Sequence, residues 1–243
     1  MSLSVAPRPL NSLLNQKPLV LPMPVGEIHV WQGQVADVAS FCEELWQVLD
    51  GAEKQKVSHL QNETDRIRSI VSHGMLRTII GWYLGVDPAS VKFAYGAMGK
   101  PSLAASHGLE FNLSHSDDLL LFTFTVGHPI GIDVEHVTNL PELHDLARSI
   151  FSLHEQDLLV SLPDQEKRKT FFRLWTLREA CGKMLGHGLT EELRNVDIYT
   201  VLNEHDQWTF ESFAPLPGYE AAVVVEDKVR RWVRFHGFPR LAS

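Results

Sequence analysis

An α+β fold built in two halves is predicted from three features of this sequence. Its apolar positions follow period two over some stretches and helical spacing over others, and strands come in runs instead of alternating singly with helices. The pattern changes around Pro129-Ile130-Gly131, where a second set of elements begins. A chain of 243 residues also has room for two small domains with adequate cores. The expected organisation is an extended arm over 1–25, an N-terminal half over 26–129 and a C-terminal half over 130–243.

The arm carries Pro7, Pro9, Pro18, Pro22 and Pro24, and either lies on a domain through Leu19, Val20 and Leu21 or is a mobile tail. From Gly26, the alternation Glu27-Ile28-His29-Val30-Trp31 predicts a strand. Val38, Phe41, Leu45 and Leu49 then repeat at helical spacing. Ile67, Ile70, Val71, Met75 and Ile79 mark a longer helix ending near Gly85, with Asp87-Pro88 just beyond. Strands are expected at 91–95, 110–114, 119–126 and 130–135. Ser152 and Glu155 form a capping-box pattern ahead of a helix. A further helix runs from about 165 to 185 and stops at Gly186-His187-Gly188. The remainder predicts strands near 196–201, 207–213, 219–226 and 230–235. No repeat between the halves is visible in the residues.

Composition excludes several functions. A formal net charge of −8 argues against nucleic acid as a partner, since phosphate backbones are held by surplus Lys and Arg. An anionic small ligand still fits if its positive contacts are concentrated locally. Two cysteines, Cys42 and Cys181, suggest no disulfide framework and suit a reducing cytoplasm. No apolar run reaches the roughly 18 residues of a membrane span. The proline-rich start does not read as a secretory signal.

Three constellations carry chemistry. In Gly131-Ile132-Asp133-Val134-Glu135, a strand would set Asp133 and Glu135 on one face. Neighbouring carboxylates raise each other's pKa unless a cation sits between them, and hard oxygen ligands suit Mg²⁺. The plainer alternative is a charged edge that discourages aggregation. On a helix, Trp175, Glu179 and Lys183 stack one turn apart with Arg178 beside them. That geometry suits a functional carboxylate, or an ordinary surface Glu–Lys pair. Third, Gly99-Lys100-Pro101 precedes Phe111-Asn112-Leu113-Ser114-His115-Ser116. Glycine lets the backbone approach a phosphate, lysine adds charge, and Ser114 and His115 can donate hydrogen bonds. P-loop spacing is absent. A Ser–His–Asp hydrolase is disfavoured, because adjacent strand residues face opposite ways and no nucleophile elbow occurs. Asp117-Asp118 reads as turn chemistry. The twelve histidines fall in no zinc-binding pattern.

These segments, in this order, resemble the phosphopantetheinyl transferase family, in its long, surfactin-synthetase-activating type. The family shows a Gly-Lys-Pro segment, a Phe-Asn-Leu-Ser-His-Ser segment, a Gly-Ile-Asp-x-Glu strand and a Trp-[Ser/Thr/Cys]-x-Lys-Glu-[Ala/Ser]-x-x-Lys helix. A Gly-x-Gly-Leu loop follows, here Gly186-His187-Gly188-Leu189. The resemblance spans roughly residues 53–190. It implies two similar α+β halves about a pseudo-twofold axis, with coenzyme A in the cleft between them. It implies a monomer that moves phosphopantetheine from coenzyme A to a serine of an apo acyl or peptidyl carrier protein. Fatty-acid, polyketide, peptide-synthetase and aminoadipate-reductase carriers are all candidates.

By the same resemblance, Asp133 and Glu135 hold Mg²⁺, with Mn²⁺ as an alternative. Glu179 completes the metal shell or acts as base toward the carrier serine. Lys183 contacts the transferred phosphate or helps the leaving group, and His115 helps neutralise it. Lys100, flanked by Gly99 and Pro101, joins Ser114 and His115 on the nucleotide phosphates. Arg68 binds the nucleotide, and Lys54 or Lys56 reaches the 3′-phosphate. Arg178 stands where the family usually has lysine. Arginine does not deprotonate, so it is expected to position a phosphate or a carboxylate. Carrier contacts are expected at Leu185, the 186–188 loop and Lys167-Arg168-Lys169. A catalytically silent coenzyme A-binding module and a Mg²⁺-dependent pyrophosphate hydrolase are the competing readings.

Overall fold

The computed structural model describes residues 3–5 (backbone only), 20–105, 108–188 and 193–238. Most of the expected arm and Leu189 lie outside them. The described end of the arm is anchored: Leu21 N–H donates to the Trp82 carbonyl at 2.9 Å, and Leu21 and Met23 pack on the first core.

The first half forms β2 (Glu27–Gln34), short helices α1 (Val35–Val38), α2 (Cys42–Val48) and α3 (Gly51–Ser58), and the long α4 (Glu63–Leu84). A small hairpin, β3 (Phe93–Tyr95) with β4 (Pro101–Leu103), precedes β5 (Leu109–Ser116) and β6 (Leu119–Val126). The second half repeats the plan with β7 (Ile130–His136), α5 (Leu143–Ile150), α6 (Leu153–Ser161), the long α7 (Asp164–Leu185), α8 (Ile198–Glu204), β8 (Thr209–Phe213) and β9 (Tyr219–Val225). Its sheet runs β7-β9-β8, matching the β2-β6-β5 order of the first. The chain then crosses back. β10 (Arg231–His236) runs parallel to β2, and β1 (Leu3–Val5) lies outside it, so the tail of the expected second half completes the first sheet.

Ile198–Glu204 corrects the strand expected at 196–201. Asp197 accepts a hydrogen bond from Thr200 N–H at 2.9 Å, an N-cap that outweighs the β-branched run. The helix expected from Val38 to Leu49 is broken by a short 3₁₀ turn at Ala39–Phe41.

A residue-level repeat, invisible in the sequence, is present after all. α4 and α7 are each 22 residues long and end on a left-handed glycine, Gly85 at φ +66° and Gly186 at φ +76°. A fully buried arginine sits the same distance before each glycine: Arg77 and Arg178. Each meets a glutamate three residues after the N-cap in a capping box, Glu53 for Arg77 (2.7 Å) and Glu155 for Arg178. Arg77 also donates to Val91 O at 2.8 Å and lies over Phe93. Arg178 donates to Leu193 O (3.2 Å) and Val196 O (2.6 Å) and lies over Phe151. Each arginine thus braces its long helix to the helix before it and the segment after it.

Of the two roles expected for Arg178, positioning a phosphate or a carboxylate, this placement meets the second and not nucleotide binding. It positions a carboxylate, Glu155, inside the second half, because five planar donors can satisfy several buried acceptors at once. Arg178→Met is expected to lower the unfolding free energy by about 3–5 kcal/mol, since it strands the buried Glu155 charge. Chemical denaturation reads this. A loss under about 1 kcal/mol would mean the pair does not brace α6 to α7.

Candidate active site

Strand β7 has two different faces. Ile132 and Val134 enter the core between the two sheets, with Ile28, Val30, Leu121 and Val223. Gly131, Asp133 and Glu135 face α7 instead. A Cβ on Gly131 would lie 2.0 Å from Ala180 O and 2.5 Å from Met184 N, so only glycine lets this helix rest on the strand. That approach brings Lys183 onto Asp133.

Lys183 Nζ donates to Asp133 Oδ1 at 2.7 Å and to Ser114 Oγ at 3.0 Å. Ser114 donates to the same Oδ1 at 2.9 Å. Three elements from both halves therefore converge on one carboxylate, which is 4% exposed. Burial pushes the Asp133 pKa up, against the pull of Lys183 and Ser114. Its Oδ2 is buried with no hydrogen-bond partner.

Two more carboxylates flank it. Glu135, half-buried, accepts from Ser116 Oγ at 3.2 Å. Burial and then the Asp133 charge raise its pKa. Half-buried Glu179 is raised by the same two causes, with Lys183 opposing them. Three acids here share one nearby lysine. As the side chains stand, no group of three His, Cys, Asp or Glu among the described residues is arranged to hold a metal. The ammonium of Lys183 takes the inner position on Asp133.

Beside this cluster lies an open cleft of about 420 Å³ between α4 and β5. Asp65, Arg68, Ser69, His73, His115 and Ser116 line it. His115 belongs to the face of β5 that, further back, packs Phe111 and Leu113 on the first core. Its ring reaches solvent in the cleft. Its pKa is nonetheless lowered by partial burial, then by Lys183, His73 and Arg68. Arg68 is held by Asp118, Nε to Oδ1 at 2.9 Å. The lining is mixed: Arg68, His73 and His115 share the cleft with Asp65 and Asp117.

The structure brings together Asp133, Glu135, Glu179, Lys183, Ser114, His115 and Arg68, and separates the other expected contacts. Lys100 Nζ donates to Ile130 O (3.0 Å) and Met184 O (3.2 Å). Its ammonium is committed to one carbonyl at the start of β7 and one at the C-terminal end of α7, where a cation is favoured, and not to the cleft. Gly99, at φ +80°, makes the β3–β4 turn, and Pro101 starts β4. Lys54 lies over the Trp46 ring and Lys56 over Tyr95, and neither lines the cleft. Lys167 pairs with Asp164, Arg168 reaches Asn139, and Lys169 pairs with Glu220, so each cation of the expected docking patch has a local partner. Sequence reasoning missed Ser69, Ser72 and His73. Their signal was a polar stripe at 65, 68, 69, 72 and 73, along one side of the helix that carries Ile67, Ile70, Val71 and Met75.

Comparison with known proteins fits this arrangement. Residues 31–125 match the family model described as 4′-phosphopantetheinyl transferase, N-terminal, and residues 129–225 that of the 4′-phosphopantetheinyl transferase superfamily. The 4′-phosphopantetheinyl transferase HetI of Nostoc sp. (strain PCC 7120) is 36% identical over 218 residues, 86% of this chain and 92% of the relative. The 4′-phosphopantetheinyl transferase Sfp of Bacillus subtilis (strain 168) is 24% identical over 190 residues, 74% of this chain and 84% of that one.

Gly131→Ala is expected to force α7 off β7 and destabilise the protein by several kcal/mol. A thermal midpoint within a degree of wild type would refute the close apposition. Glu179→Gln should shift stability in the other direction. Because the folded-state pKa of Glu179 is raised, wild type loses stability as pH climbs above the ordinary glutamate range, and glutamine does not. In metal-free buffer the variant should therefore melt higher at neutral pH, with the gap closing below about pH 4.3. A variant that melts lower at neutral pH would contradict the assignment.

Proposed function

The chain belongs to the 4′-phosphopantetheinyl transferase superfamily, and we propose that it transfers phosphopantetheine from coenzyme A to a serine of an apo acyl or peptidyl carrier protein, with Mg²⁺ or Mn²⁺, releasing 3′,5′-adenosine diphosphate. The observation that carries this reading is the Asp133–Ser114–Lys183 junction, flanked by Glu135 and Glu179 and beside a cleft that Arg68, His73 and His115 line. The donor set fits a hard divalent ion. Asp133 Oδ2 lacks a partner, and all three carboxyls have raised pKa values, the state that a neighbouring cation relieves. Asp133 and Glu135 are the ligands in this proposal, with Glu179 as a third or as the base. A bound ion would neutralise pyrophosphate charge.

The chain's own residues supply the rest. Arg68 and His115 hold the nucleotide phosphates in the cleft, His115 as a neutral imidazole able to donate one hydrogen bond. Lys183, drawn from Asp133 to phosphate, stabilises the charge that develops on the leaving oxygen. Serine is a poor nucleophile at neutral pH and needs a base, and the raised pKa of Glu179 makes it a better proton acceptor. The serine oxygen bonds to the phosphorus bearing pantetheine, the bridging P–O bond breaks, and the serine proton passes to Glu179. Burial also pushes the Cys181 thiol up to about 11, so neither it nor Cys42, both free, is a nucleophile in this scheme. A reducing, cytoplasmic setting goes with this proposal.

Incubation with coenzyme A, Mg²⁺ and apo carrier proteins, read by intact mass and nucleotide release, tests it. The expected result is a phosphopantetheine mass gain on a carrier, with 3′,5′-adenosine diphosphate formed only when carrier is present. Release without carrier would indicate a hydrolase, and no release a binding module. Asp133→Ala and Glu135→Ala are each expected to lower kcat by about 100-fold or more while the fold persists. Near-normal turnover in either would sink the ligand assignment.

A further inference from the structure

β7 is the edge of its sheet, and its outward N–H groups need acceptors. The strand in the same place in the first sheet, β2, has β10 paired along that edge. β7 has no such strand. Facing it instead is β5, itself the edge of the other sheet. No backbone ladder joins them; side chains do the joining. Ile132 N–H donates to Asn112 Oδ1 at 3.0 Å, and His136 N–H to Ser116 Oγ at 3.0 Å. Between these two rungs, Ser114 holds Asp133.

Asn112, Ser114 and Ser116 are alternate residues of one strand, so the period of two sets all three on one side. Ser116 does two things with one hydroxyl. It accepts from the His136 amide and donates to Glu135 Oε2 at 3.2 Å, tying the strand edge to the carboxylate beside it. Asn112 is 5% exposed and Ile132 fully buried, so loss of that rung leaves an amide with no acceptor.

We propose that Asn112 and Ser116 are positioning residues, whose side chains replace a missing sheet ladder and fix where β7 presents Asp133 and Glu135 to the cleft. The proposal rests on the transferase reading for its catalytic consequence, while its structural part stands on the seam alone. Neither residue needs to touch the reacting atoms. A small displacement of β7 is enough, since errors near 1 Å in catalytic geometry can slow a reaction by about 100-fold.

The test combines kinetics with residue-resolved amide exchange on the full chain. Ser116→Ala is expected to lower kcat for holo-carrier formation by roughly 10-fold, with KM for coenzyme A changed less than about threefold. Ser116→Thr, which keeps both hydrogen bonds, is expected to restore kcat to within about threefold of wild type. In metal-free protein, the His136 amide should exchange at least ~10-fold faster in Ser116→Ala but not in Ser116→Thr. Asn112→Ala should do the same to the Ile132 amide. Unchanged exchange at both amides would overturn the seam. Faster exchange with full activity in Ser116→Ala, or an alanine defect that threonine does not repair, would overturn the positioning role. A wild-type chain that modifies no carrier would fail the transferase reading first, and the exchange rates would still decide the seam.

Discussion

Asp133 is nearly buried and is held by a lysine from α7 and a serine from β5, so one carboxylate joins a strand, a helix and the opposite half. Most of the site's geometry follows from that junction. Gly131 is needed because α7 must lie directly on β7 for Lys183 to reach Asp133. Glu135 and Glu179 feel the Asp133 charge because the same apposition brings them near it. Like charges gathered in a half-dry place store unfavourable energy, and a single lysine relieves only part of it. Such tension, wasteful in a purely structural seam, is what a site for a cation and a polyphosphate would need.

The two halves show how one plan serves different ends. Both use a long helix stopped by a left-handed glycine, and both brace it with a buried arginine on a capping-box glutamate. The first half fills its sheet edge with β10, and Trp31 stacks on Phe235 there with ring centroids 4.0 Å apart. The second half leaves the matching edge, β7, to polar side chains. The apolar seam closes one side of the molecule. The polar one keeps its carboxylates available.

Much of this was legible in the sequence. The alternation in Gly131–Glu135 separated the two faces of β7, and the one-turn spacing of Trp175, Glu179 and Lys183 set those three on one helical face. Those readings depend only on local periodicity, which sequence carries well. Lys100 was misread, and Arg178 was left open between a phosphate and a carboxylate, because a cation next to a motif looks the same whichever acceptor it meets. Only packing decides that, and it gave Lys100 the Ile130 and Met184 carbonyls and Arg178 the Glu155 carboxylate. The segment at 196–201 looked like a strand because Val196, Ile198 and Val201 are β-branched, yet the Asp197 cap and the packing of Ile198 and Leu202 made it helical. The repeat escaped notice because only two glycines and an Arg–Glu pair per half express it, while the surrounding residues differ.

Asp133, Glu135 and Glu179 are, on this account, held in tension for a divalent ion. Thermal unfolding at neutral pH, titrated with MgCl₂ or MnCl₂ at constant ionic strength with coenzyme A present, tests it most directly. Wild type should melt progressively higher as the ion is added, because whatever binds the folded state stabilises it. Asp133→Asn should show little or none of that rise. A wild-type midpoint that ignores both ions, or an Asp133→Asn variant that rises equally, would contradict the account.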